Sequence, residues 1–509
     1  MRQDALLMGI DVGSTAAKVI AMTAAGDIRG SASSHYGADS PRPGWVEQRP
    51  EAWWDAVVQA VKSCLEQVPA SGVEAVSLSG HMSAPVLIDG DGVPVLPSIL
   101  IADIRSGEET RLLRERYMNR MLELSGNEPV DAFAASKLLW IAKHRPEAMR
   151  RAETLLFPKD YVRYMLTGAA GTEPTDAGNS LLYDRGTGAW ATGLIGELGL
   201  PASLFPPLLA SGGLAGSVSA EAARLTGLKA GTPVYAGGAD MACSQLGTGA
   251  VKEGTFAVTL STSGQAVLRV NEVEAAAKGR VTFHPSAVPG GLYAMGSVFT
   301  GGLGVDWGYR TLRGKARLEA SDFETLNAMS EEMDRVPPGS GGLMFLPFLT
   351  GSGSPHFDSR DRASWLGLST GQSEAAMLRS IMEGVAYNIR ECMDVFTDGG
   401  HEIRRVHLGG GGSRNPVWRQ MIADVLGKDV ALLESRDASA VGAAILAGVG
   451  AGAYASAEAG ADAVVRIGDP MRYCTERHER YQKLYAQYRK VYGALNAFYR
   501  EAGEEPAST

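Results

Sequence analysis

The residue most suited to chemistry is Asp240, a carboxylate that directly follows two glycines in the sequence Gly-Gly-Ala-Asp of residues 237–240. The apolar residues 233–236 predict a short buried strand before it, and residues 241–246 predict the start of a helix after it. Paired glycines let the backbone turn sharply and approach another molecule. A carboxylate at such a strand end faces the ligand crevice of an open α/β sheet, so Asp240 is a candidate proton acceptor. The alternative is an Asp that only caps the helix.

Two turns rich in glycine and hydroxyl groups have the composition of phosphate-binding turns. Residues 11–15, Asp-Val-Gly-Ser-Thr, join predicted strands over 6–10 and 18–22, and residues 261–264, Ser-Thr-Ser-Gly, follow a predicted strand over 256–260. Backbone N–H and side-chain O–H groups in such turns can hold phosphate oxygens. The repeated pattern hints at two halves built on related plans, each aiming a hairpin at a shared cleft. The alternative is that any hairpin turn favours Gly, Ser and Thr.

Two further groups are candidates for binding a polar substrate. A predicted strand over residues 73–78 ends in Ser-Gly-His-Met-Ser at 79–83, again where a strand meets a glycine turn. Asp103 and Arg105 follow the apolar residues 99–101. A carboxylate and a guanidinium two residues apart can bind a polyol, and they can equally form a surface ion pair.

The elements that must position these groups are visible as helical spacing. Pro50 opens a helix whose tryptophans and valines recur at helical intervals, which is typical of a core-facing helix. The further predicted helices cover residues 107–124, 136–144, 158–166, 374–396, 418–426 and 438–449. Residues 86–89 and 93–96 predict strands that continue the sheet. Polar stretches predict a loop at 172–177 and a mobile loop at 350–355.

The C-terminal segment has one apolar stripe at helical spacing, which predicts a helix docked against the C-terminal domain. Its members are Tyr481, Leu484, Tyr485, Tyr488, Val491, Tyr492, Leu495, Phe498 and Tyr499. The alternative is a contact between two copies of the chain, so that a homodimer stays open.

Composition narrows the class of protein. A chain of 509 residues is too long for one core, which predicts two domains. Apolar residues make up 45% and charged residues 21%, as in soluble globular proteins. A net charge of −9 without a long basic run argues against nucleic acid or an anionic membrane as partner. An anionic ligand must therefore be held locally, by backbone N–H groups, a few side chains and a metal ion.

The cysteines and the N-terminal segment bear on the cellular compartment of the protein. The four cysteines form no C-x-x-C pair, which favours neither a zinc site nor a disulfide scaffold. The first apolar run is short and interrupted by Gly9 and Asp11, unlike a signal peptide, and no stretch has the length and polarity of a membrane helix. We therefore expect a cytoplasmic protein.

Glycine-rich strand exits occur four times, at residues 9–15, 237–240, 261–264 and 409–412. None fits G-x-x-x-x-G-K-[ST], which excludes a Walker-type site, and none clearly fits the Rossmann fingerprint. The pattern suits two hairpins that grip phosphates and a glycine run that lies flat against an adenine.

In this order the motifs resemble those of the FGGY carbohydrate kinases, and within that family the xylulose kinase branch, from Gly9 to about Tyr499. The matching segments are residues 9–15, 43–48, 158–161, 175–176, 237–240, 262–264, 367–368, 382–384 and 410–412. The resemblance implies a two-domain α/β, actin-like and hexokinase-like (ribonuclease H-like) ATPase fold with a cleft between the domains. Residues 1–246 would form the N-terminal domain, with sugar binding, the first phosphate hairpin and the catalytic Asp at its end. Residues 247–509 would form the nucleotide-binding C-terminal domain with the C-terminal helix.

The resemblance also implies an activity, the ATP-dependent transfer of the γ-phosphate to a hydroxyl of a ketose. Asp240 would be the general base, since an Asp with an ordinary pKa near ~3.9 is ionised at pH 7. Asp11 would lie near Mg²⁺, through water, with Asp240 as the second carboxylate at the metal. The nucleotide would be bound by Gly13, Ser14, Thr15, Lys18, Thr262, Gly302, Asp306, Gly410, Gly411 and Asn415. The sugar would be bound by His81, Met82, Ser83, Asp103, Arg105 and Asp240.

Some positions depart from the pattern of the xylulose kinase branch. Ser83 stands where a sugar-contacting His is usual, and Ile101 and Ala102 stand where Trp and Asn are usual. Another pentulose, a hexulose or a small polyol is therefore the alternative acceptor. A non-catalytic actin-like sensor of sugar or nucleotide is the alternative from another class of protein.

Overall fold

Two six-stranded mixed sheets form the framework of the computed structural model, which describes residues 5–434 and 437–502. The strands up to residue 246 are β1 (Leu6–Val12), β2 (Ala16–Thr23), β3 (Ile28–His35), β4 (Glu47–Gln48), β5 (Val73–Gly80), β6 (Val86–Ile88), β7 (Ser98–Ile99), β8 (Thr154–Leu156), β9 (Tyr183–Asp184), β10 (Ala189–Trp190), β11 (Leu214–Ser217) and β12 (Pro233–Ala239). The first sheet has the order β11-β12-β5-β1-β2-β3.

The second sheet is built from strands that follow residue 250. They are β13 (Thr255–Leu260), β14 (Gly264–Val270), β15 (Thr282–Pro285), β16 (Leu292–Val298), β17 (Met344–Leu346), β18 (Ser364–Leu366), β19 (Arg405–Gly409) and β20 (Val430–Leu432). Its order is β15-β16-β14-β13-β19-β20, and β17 and β18 pair separately.

The two sheets share one topology over five of their six strands. The sixth strand differs, since β11 lies beside β12 at the parallel end of the first sheet and β15 lies beside β16 at the antiparallel end of the second. Each begins with antiparallel strands, β1-β2-β3 in the first and β13-β14-β16 in the second. Each continues with two strands parallel to its first strand, β5 and β12 or β19 and β20. The carboxyl ends of the parallel strands share one edge, so each hairpin turn lies at the edge where the parallel strands end. The prediction that two halves are built on related plans is confirmed.

The helices are α1 (Pro50–Leu65), α2 (Gly107–Ser125), α3 (Ala134–His144), α4 (Pro146–Arg151), α5 (Pro158–Thr167), α6 (Pro174–Gly178), α7 (Thr192–Glu197), α8 (Ala220–Thr226), α9 (Asp240–Gly247), α10 (Gly302–Arg313), α11 (Ala320–Ala328), α12 (Ser330–Arg335), α13 (Glu374–Asp398), α14 (Pro416–Leu426), α15 (Ala438–Gly450), α16 (Ala457–Val464) and α17 (Thr475–Ala502). Helix α1 shows why the pattern was readable. Pro50 occupies its first turn, where no N–H is needed, and Trp53, Val57 and Val61 are buried against the first sheet. Full burial of one such side chain is worth about 1.5–3 kcal/mol.

A separate apolar cluster lies between the two sheets and is formed by α9 and α15 together with residues of both sheets. Helix α15 packs on β1 and β5 of the first sheet, although it follows the second sheet in the chain. The backbones of α9 and α15 touch, since a Cβ on Gly442 would lie 1.9 Å from the Cys243 carbonyl oxygen and one on Gly247 would lie 2.0 Å from that of Ala438. These glycines let the two helices join the halves of the molecule at the floor of the cleft.

Three local predictions were wrong. Residues 93–96 form no regular strand and pair with β6 only at an isolated bridge between Ile88 and Pro94, because Pro94 has no N–H to continue a ladder; β6 pairs with β8 in a small sheet of its own. Residues 174–178 form helix α6, since Glu173 caps its N-terminus and Pro174 starts it. The segment 351–354 is buried, with the Ser354 hydroxyl accepting a hydrogen bond from the Ser297 N–H.

The C-terminal helix α17 docks on the second sheet's core, as predicted. Tyr481, Tyr485 and Tyr488 are buried in that core, and Tyr481 hydrogen-bonds Glu383 of α13. Phe498 is exposed, so the stripe is only partly covered, and a homodimer stays a prediction. Within the described parts of the chain, no helix combines the length and apolar character needed to cross a membrane.

Candidate active site

The first hairpin turn joins β1 and β2 and leaves polar groups accessible. Ser14 and Thr15 are exposed at its tip, and the Gly13 N–H closes the turn on the Ala16 carbonyl at 3.0 Å. Gln48 supports the turn from behind by donating to the Ser14 carbonyl at 2.8 Å. The turn is therefore both open to a ligand and fixed in shape.

The second hairpin turn, residues 261–264 between β13 and β14, is joined to the start of helix α10. The Gly302 N–H donates to the Ser261 carbonyl at 2.6 Å, and the Gly301 and Leu303 N–H groups donate to the Thr262 carbonyl. Thr262 itself is exposed at the turn. The predicted residues Thr262 and Gly302 are thus brought together.

Asp240 is half-buried at the first position of α9, directly after β12. The register between β12 and β5 shifts between Tyr235 and Gly238. Gly237 has φ 85°, and a Cβ there would lie 1.9 Å from the carbonyl oxygen of Leu78. A residue with a side chain does not fit at this position of the turn. The N-cap position belongs to Ala239, and the Asp240 carboxylate accepts a hydrogen bond from its neighbour, the Met241 N–H, at 2.7 Å. The alternative of a simple capping Asp does not fit this geometry.

The acidity of Asp240 differs from the sequence expectation. Burial and the neighbouring charge of Asp11 raise the pKa of Asp240 from 3.8 to about 7, and the Met241 N–H opposes the rise. A pKa near ~3.9 was expected because the sequence shows neither the burial nor the second carboxylate. A carboxyl with a pKa near neutral pH is suited to accept and release a proton.

Asp11 lies at the end of β1 and forms the second carboxylate of the site. Its Oδ1 accepts from the Ser79 hydroxyl at 2.8 Å. Burial raises the pKa of Asp11, while Ser79 and Lys18 act to lower it. Two partly buried carboxylates whose charges repel each other fit a divalent cation. Among the described residues no group of three or more His, Cys, Asp or Glu side chains could hold a metal by itself. The two carboxylates of Asp11 and Asp240 suit Mg²⁺, because this ion keeps several waters and takes further oxygens from phosphates.

Lys18, on β2 beside the first turn, contacts the other half of the chain. Its Nζ lies 2.8 Å from the Oδ1 of Asp437, which precedes α15. Burial lowers the pKa of Lys18, but the Asp437 carboxylate outweighs it and the net shift is upward. Both side chains are partly exposed, so the pair is accessible to a ligand in the cleft.

A cavity of about 570 Å³ opens between the second turn, α10 and the glycine run after β19. It is lined by Ser261, Thr262, Gly302, Val305, Asp306, Leu326, Met382, Gly411, Gly412, Arg414, Asn415 and Trp418. An adjoining cavity of about 250 Å³ includes Gly410. A Cβ on Gly411 would meet nothing within 4 Å, so the backbone there is free for a flat ligand to approach. Asn415 is partly committed, since its Oδ1 caps α14.

The turn after β5 brings three predicted sugar residues next to the first hairpin. The His81 N–H donates to the Val12 carbonyl at 2.9 Å, and His81, Met82 and Ser83 are all buried. Ser83 has φ 67°, a strained value for a residue with a side chain. Burial, with the charge of Lys137, lowers the pKa of His81 to about 3, so its ring is neutral.

Asp103 and Arg105 form a buried ion pair, in place of the surface pair considered from sequence. The Arg105 Nε lies 2.9 Å from both Asp103 oxygens, and its Nη2 lies 2.9 Å from Glu47. The guanidinium stacks on Trp45, 3.8 Å from the ring centroid. Asp103 and Arg105 are connected to the turn after β5 through Lys137. The Lys137 Nζ donates to the Ser83 carbonyl at 3.0 Å, and the charge of Asp103 acts to raise the pKa of Lys137.

Three residues near the site were not foreseen. Burial lowers the pKa of Lys137 to about 7, yet in sequence this residue is only one polar position of an amphipathic helix. Asp437 comes to Lys18 from 419 positions away. Tyr293 of β16 is fully buried with its hydroxyl unpaired, and the charge of Asp240 contributes to raising its pKa. Only tertiary folding brings these residues to the site.

Comparison with known proteins gives a consistent result. The N-terminal domain model of the FGGY family of carbohydrate kinases matches residues 6–247, and the C-terminal domain model matches residues 250–451. A xylulose kinase from Bacillus subtilis is 31% identical over 488 residues, 96% of each chain. The crystal structure of a xylulose kinase from Rhodospirillum rubrum superposes with a TM-score of 0.88 at 29% identity, covering 97% of this chain and 100% of that one. A gluconokinase from Bacillus licheniformis is 27% identical and covers 86% of each chain.

Proposed function

Because the chain belongs to the FGGY family of carbohydrate kinases, and is thus an ATP-dependent sugar kinase, we propose that it phosphorylates a ketose, as a xylulose kinase does, with Asp240 as general base. The observation that carries this proposal is the paired arrangement of Asp240 and Asp11 at the edge of the first sheet. Burial, together with the charge of Asp11, raises the pKa of Asp240 towards neutrality, which matches a group that takes a proton from an attacking hydroxyl.

In this proposal the nucleotide is held across both halves of the molecule. The adenosine occupies the 570 Å³ cavity, with Asp306, Gly411 and Asn415 around it and Gly410 beside it. The phosphates reach the two hairpin turns, where residues 13–15 and 262 offer N–H and O–H donors. Residues 1–246 then carry the sugar side and residues 247–509 the nucleotide side.

Lys18 supplies a positive charge for the phosphates beside the first turn. Mg²⁺ would be held by Asp11 and Asp240 through water and would neutralise developing phosphate charge. Asp240 then receives the proton of the acceptor hydroxyl as that oxygen attacks the γ-phosphorus in line, while the bond from the γ-phosphorus to the bridging oxygen breaks and ADP leaves. Closure of the halves over the cleft, hinged at α9 and α15, excludes water and suppresses hydrolysis of ATP.

The acceptor side rests on the turn after β5. In this proposal the acceptor is bound by residues 81–83, which lie beside the strand that carries Asp11. Asp103 and Arg105 act on this pocket through Lys137, which donates to the Ser83 carbonyl. A hydrogen-bonding pocket of this kind selects its substrate strongly, because a missing partner leaves a buried polar group unpaired.

A second candidate, a kinase of another pentulose, a hexulose or a small polyol, is favoured by Ser83, Ile101 and Ala102. Ser83 is smaller than the His usual in xylulose kinases, and Ile101 is exposed where Trp is usual. These changes remove an imidazole, an aromatic face and an amide from the neighbourhood of the acceptor.

The experiment is the release of ADP from Mg-ATP across a panel of ketoses, polyols and gluconate. We expect one ketose to be turned over and the Asp240→Asn variant to be inactive on it while still binding ATP. Turnover of that variant at the wild-type rate would refute the role of Asp240 as base. Ser83→His should raise activity on D-xylulose if the missing His has shifted the preference, and an unchanged profile would contradict that explanation.

A further inference from the structure

A buried hydroxyl joins the catalytic turn to the small helix α6. The Oγ1 of Thr175 accepts a hydrogen bond from the Ala239 N–H at 2.7 Å and donates one to the Glu173 Oε1 at 2.6 Å. Ala239 immediately precedes Asp240, so Thr175 holds the Gly238–Ala239 peptide group, one residue before the proposed base. Both Thr175 and Glu173 have no exposed surface.

Glu173 also holds the other end of the same turn. Its Oε2 accepts from the Ser211 hydroxyl at 2.9 Å. The backbone carbonyl of Ser211 in turn accepts from the Gly237 N–H at 2.8 Å. One carboxylate therefore reaches residues 237 and 239 by two separate routes, through Ser211 and through Thr175.

The turn needs such support because its own sequence is permissive. Gly237 and Gly238 have no side chains to pack, and glycine backbone adopts many conformations at little cost. The register shift in β12 removes part of the regular strand pairing at this point. A general base must stay within hydrogen-bond reach of its proton, and a displacement of about 1 Å can cost about 10²-fold in rate.

Glu173 is itself fixed by a cluster of buried charges. The Lys159 Nζ lies 3.3 Å from Glu173, 2.7 Å from Asp160 and 2.9 Å from Asp176. Burial acts to lower the pKa of Lys159, but the three carboxylates outweigh it and raise that pKa, so the cation is retained. The cluster gives Glu173 a rigid anchor, since removal of any partner would leave a buried charge unpaired.

We propose that Thr175 is a positioning residue that, with Glu173, holds the double-glycine turn so that the Asp240 carboxylate meets the acceptor hydroxyl. The inference rests on the proposed role of Asp240 and assigns a function to α6 that the sugar and nucleotide sites do not require. Thr175 touches neither substrate in this arrangement and acts only through the backbone of Ala239.

The test compares Thr175→Val and Thr175→Ser with a matched control, Thr172→Val. Thr172 is also fully buried, and its hydroxyl donates to Asp160 of the same cluster at 2.7 Å, but within the described parts of the chain it makes no hydrogen bond to residues 237–240. We expect Thr175→Val to lower kcat by about 10²-fold with little change in the KM for ATP, because only the base is displaced. Thr175→Ser should restore most of kcat, and Thr172→Val should keep it.

Wild-type kcat in Thr175→Val, or an equal loss in Thr172→Val, would overturn the inference. Asp240→Asn, assayed in parallel, separates the two proposals. If that variant is active, the base assignment fails, whereas an inactive Asp240→Asn with a fully active Thr175→Val refutes only the positioning role. Should Thr175→Val fail to fold, Ser211→Ala removes the second route to Glu173 and keeps its own backbone carbonyl. It should lower kcat in the same direction, and unchanged kcat would count against the inference.

Discussion

Replacing Asp240 by Asn should stabilise the ligand-free protein at alkaline pH while it removes activity. The folded protein holds Asp240 in a buried place next to Asp11, and this raises its pKa from 3.8 to about 7. A raised carboxyl pKa means that the folded state binds the proton more tightly than the unfolded chain. The stability that this proton contributes is present below about pH 4 and is lost as the pH rises through about 7.

The magnitude follows from the pKa difference. At about 1.36 kcal/mol per pKa unit, a rise from 3.8 to about 7 corresponds to at most about 4 kcal/mol above pH 7. Roughly 3 kcal/mol of this falls between pH 5 and pH 8. Asp240 is half-buried rather than enclosed, so the measured value should be smaller, because solvent screens part of the charge.

The assay is chemical denaturation of wild type and Asp240→Asn at pH 5 and pH 8, without nucleotide or metal. We expect the free energy of unfolding of the variant, relative to wild type, to increase by about 1–3 kcal/mol between the two pH values. Ser439→Ala is the control, since its hydroxyl donates to the Asp240 carbonyl at 3.2 Å and carries no charge. Its difference from wild type should not depend on pH. A pH-independent effect of Asp240→Asn, or a loss of stability at pH 8, would refute the reasoning.

Three other substitutions test the contact between α9 and α15 and the proposed nucleotide-binding residues. Gly442→Ala puts a Cβ 1.9 Å from a backbone carbonyl of α9 and should lower the free energy of unfolding by about 1–3 kcal/mol or more. The control Gly107→Ala should not lower it, because a Cβ at Gly107 meets nothing within 4 Å. Equal denaturation midpoints of the two variants would contradict the close packing of α9 and α15. Gly411→Val should raise the KM for ATP and leave stability nearly unchanged, because its side chain enters the cavity rather than the core; an unchanged KM would place the adenosine elsewhere. Lys18→Met should raise the KM for ATP more than that for the sugar, and equal effects in steady-state kinetics would argue against a phosphate contact.

The candidate site shows which properties of single residues can be predicted from the sequence. The glycines at 237–238 and the hydroxyls at 261–263 were recognisable because a turn that needs small or polar residues excludes most others, whatever surrounds it. The pKa of Asp240 was not readable, because it depends on Asp11, which lies 229 positions earlier in the printed sequence. For the same reason the partners of Arg105 could not be predicted, because only tertiary folding places Trp45 and Glu47 beside it.

The sequence alone predicted the long helices, the strands around the two hairpin turns and the resemblance to a kinase family, because each of these is expressed in local patterns of residue type and spacing. Tertiary structure alone decided that α15 crosses to the first sheet, that Lys18 meets Asp437, and that Glu173 is linked to both ends of the turn before Asp240. These are contacts between distant segments, and their energies depend on burial and distance, which a linear pattern does not contain.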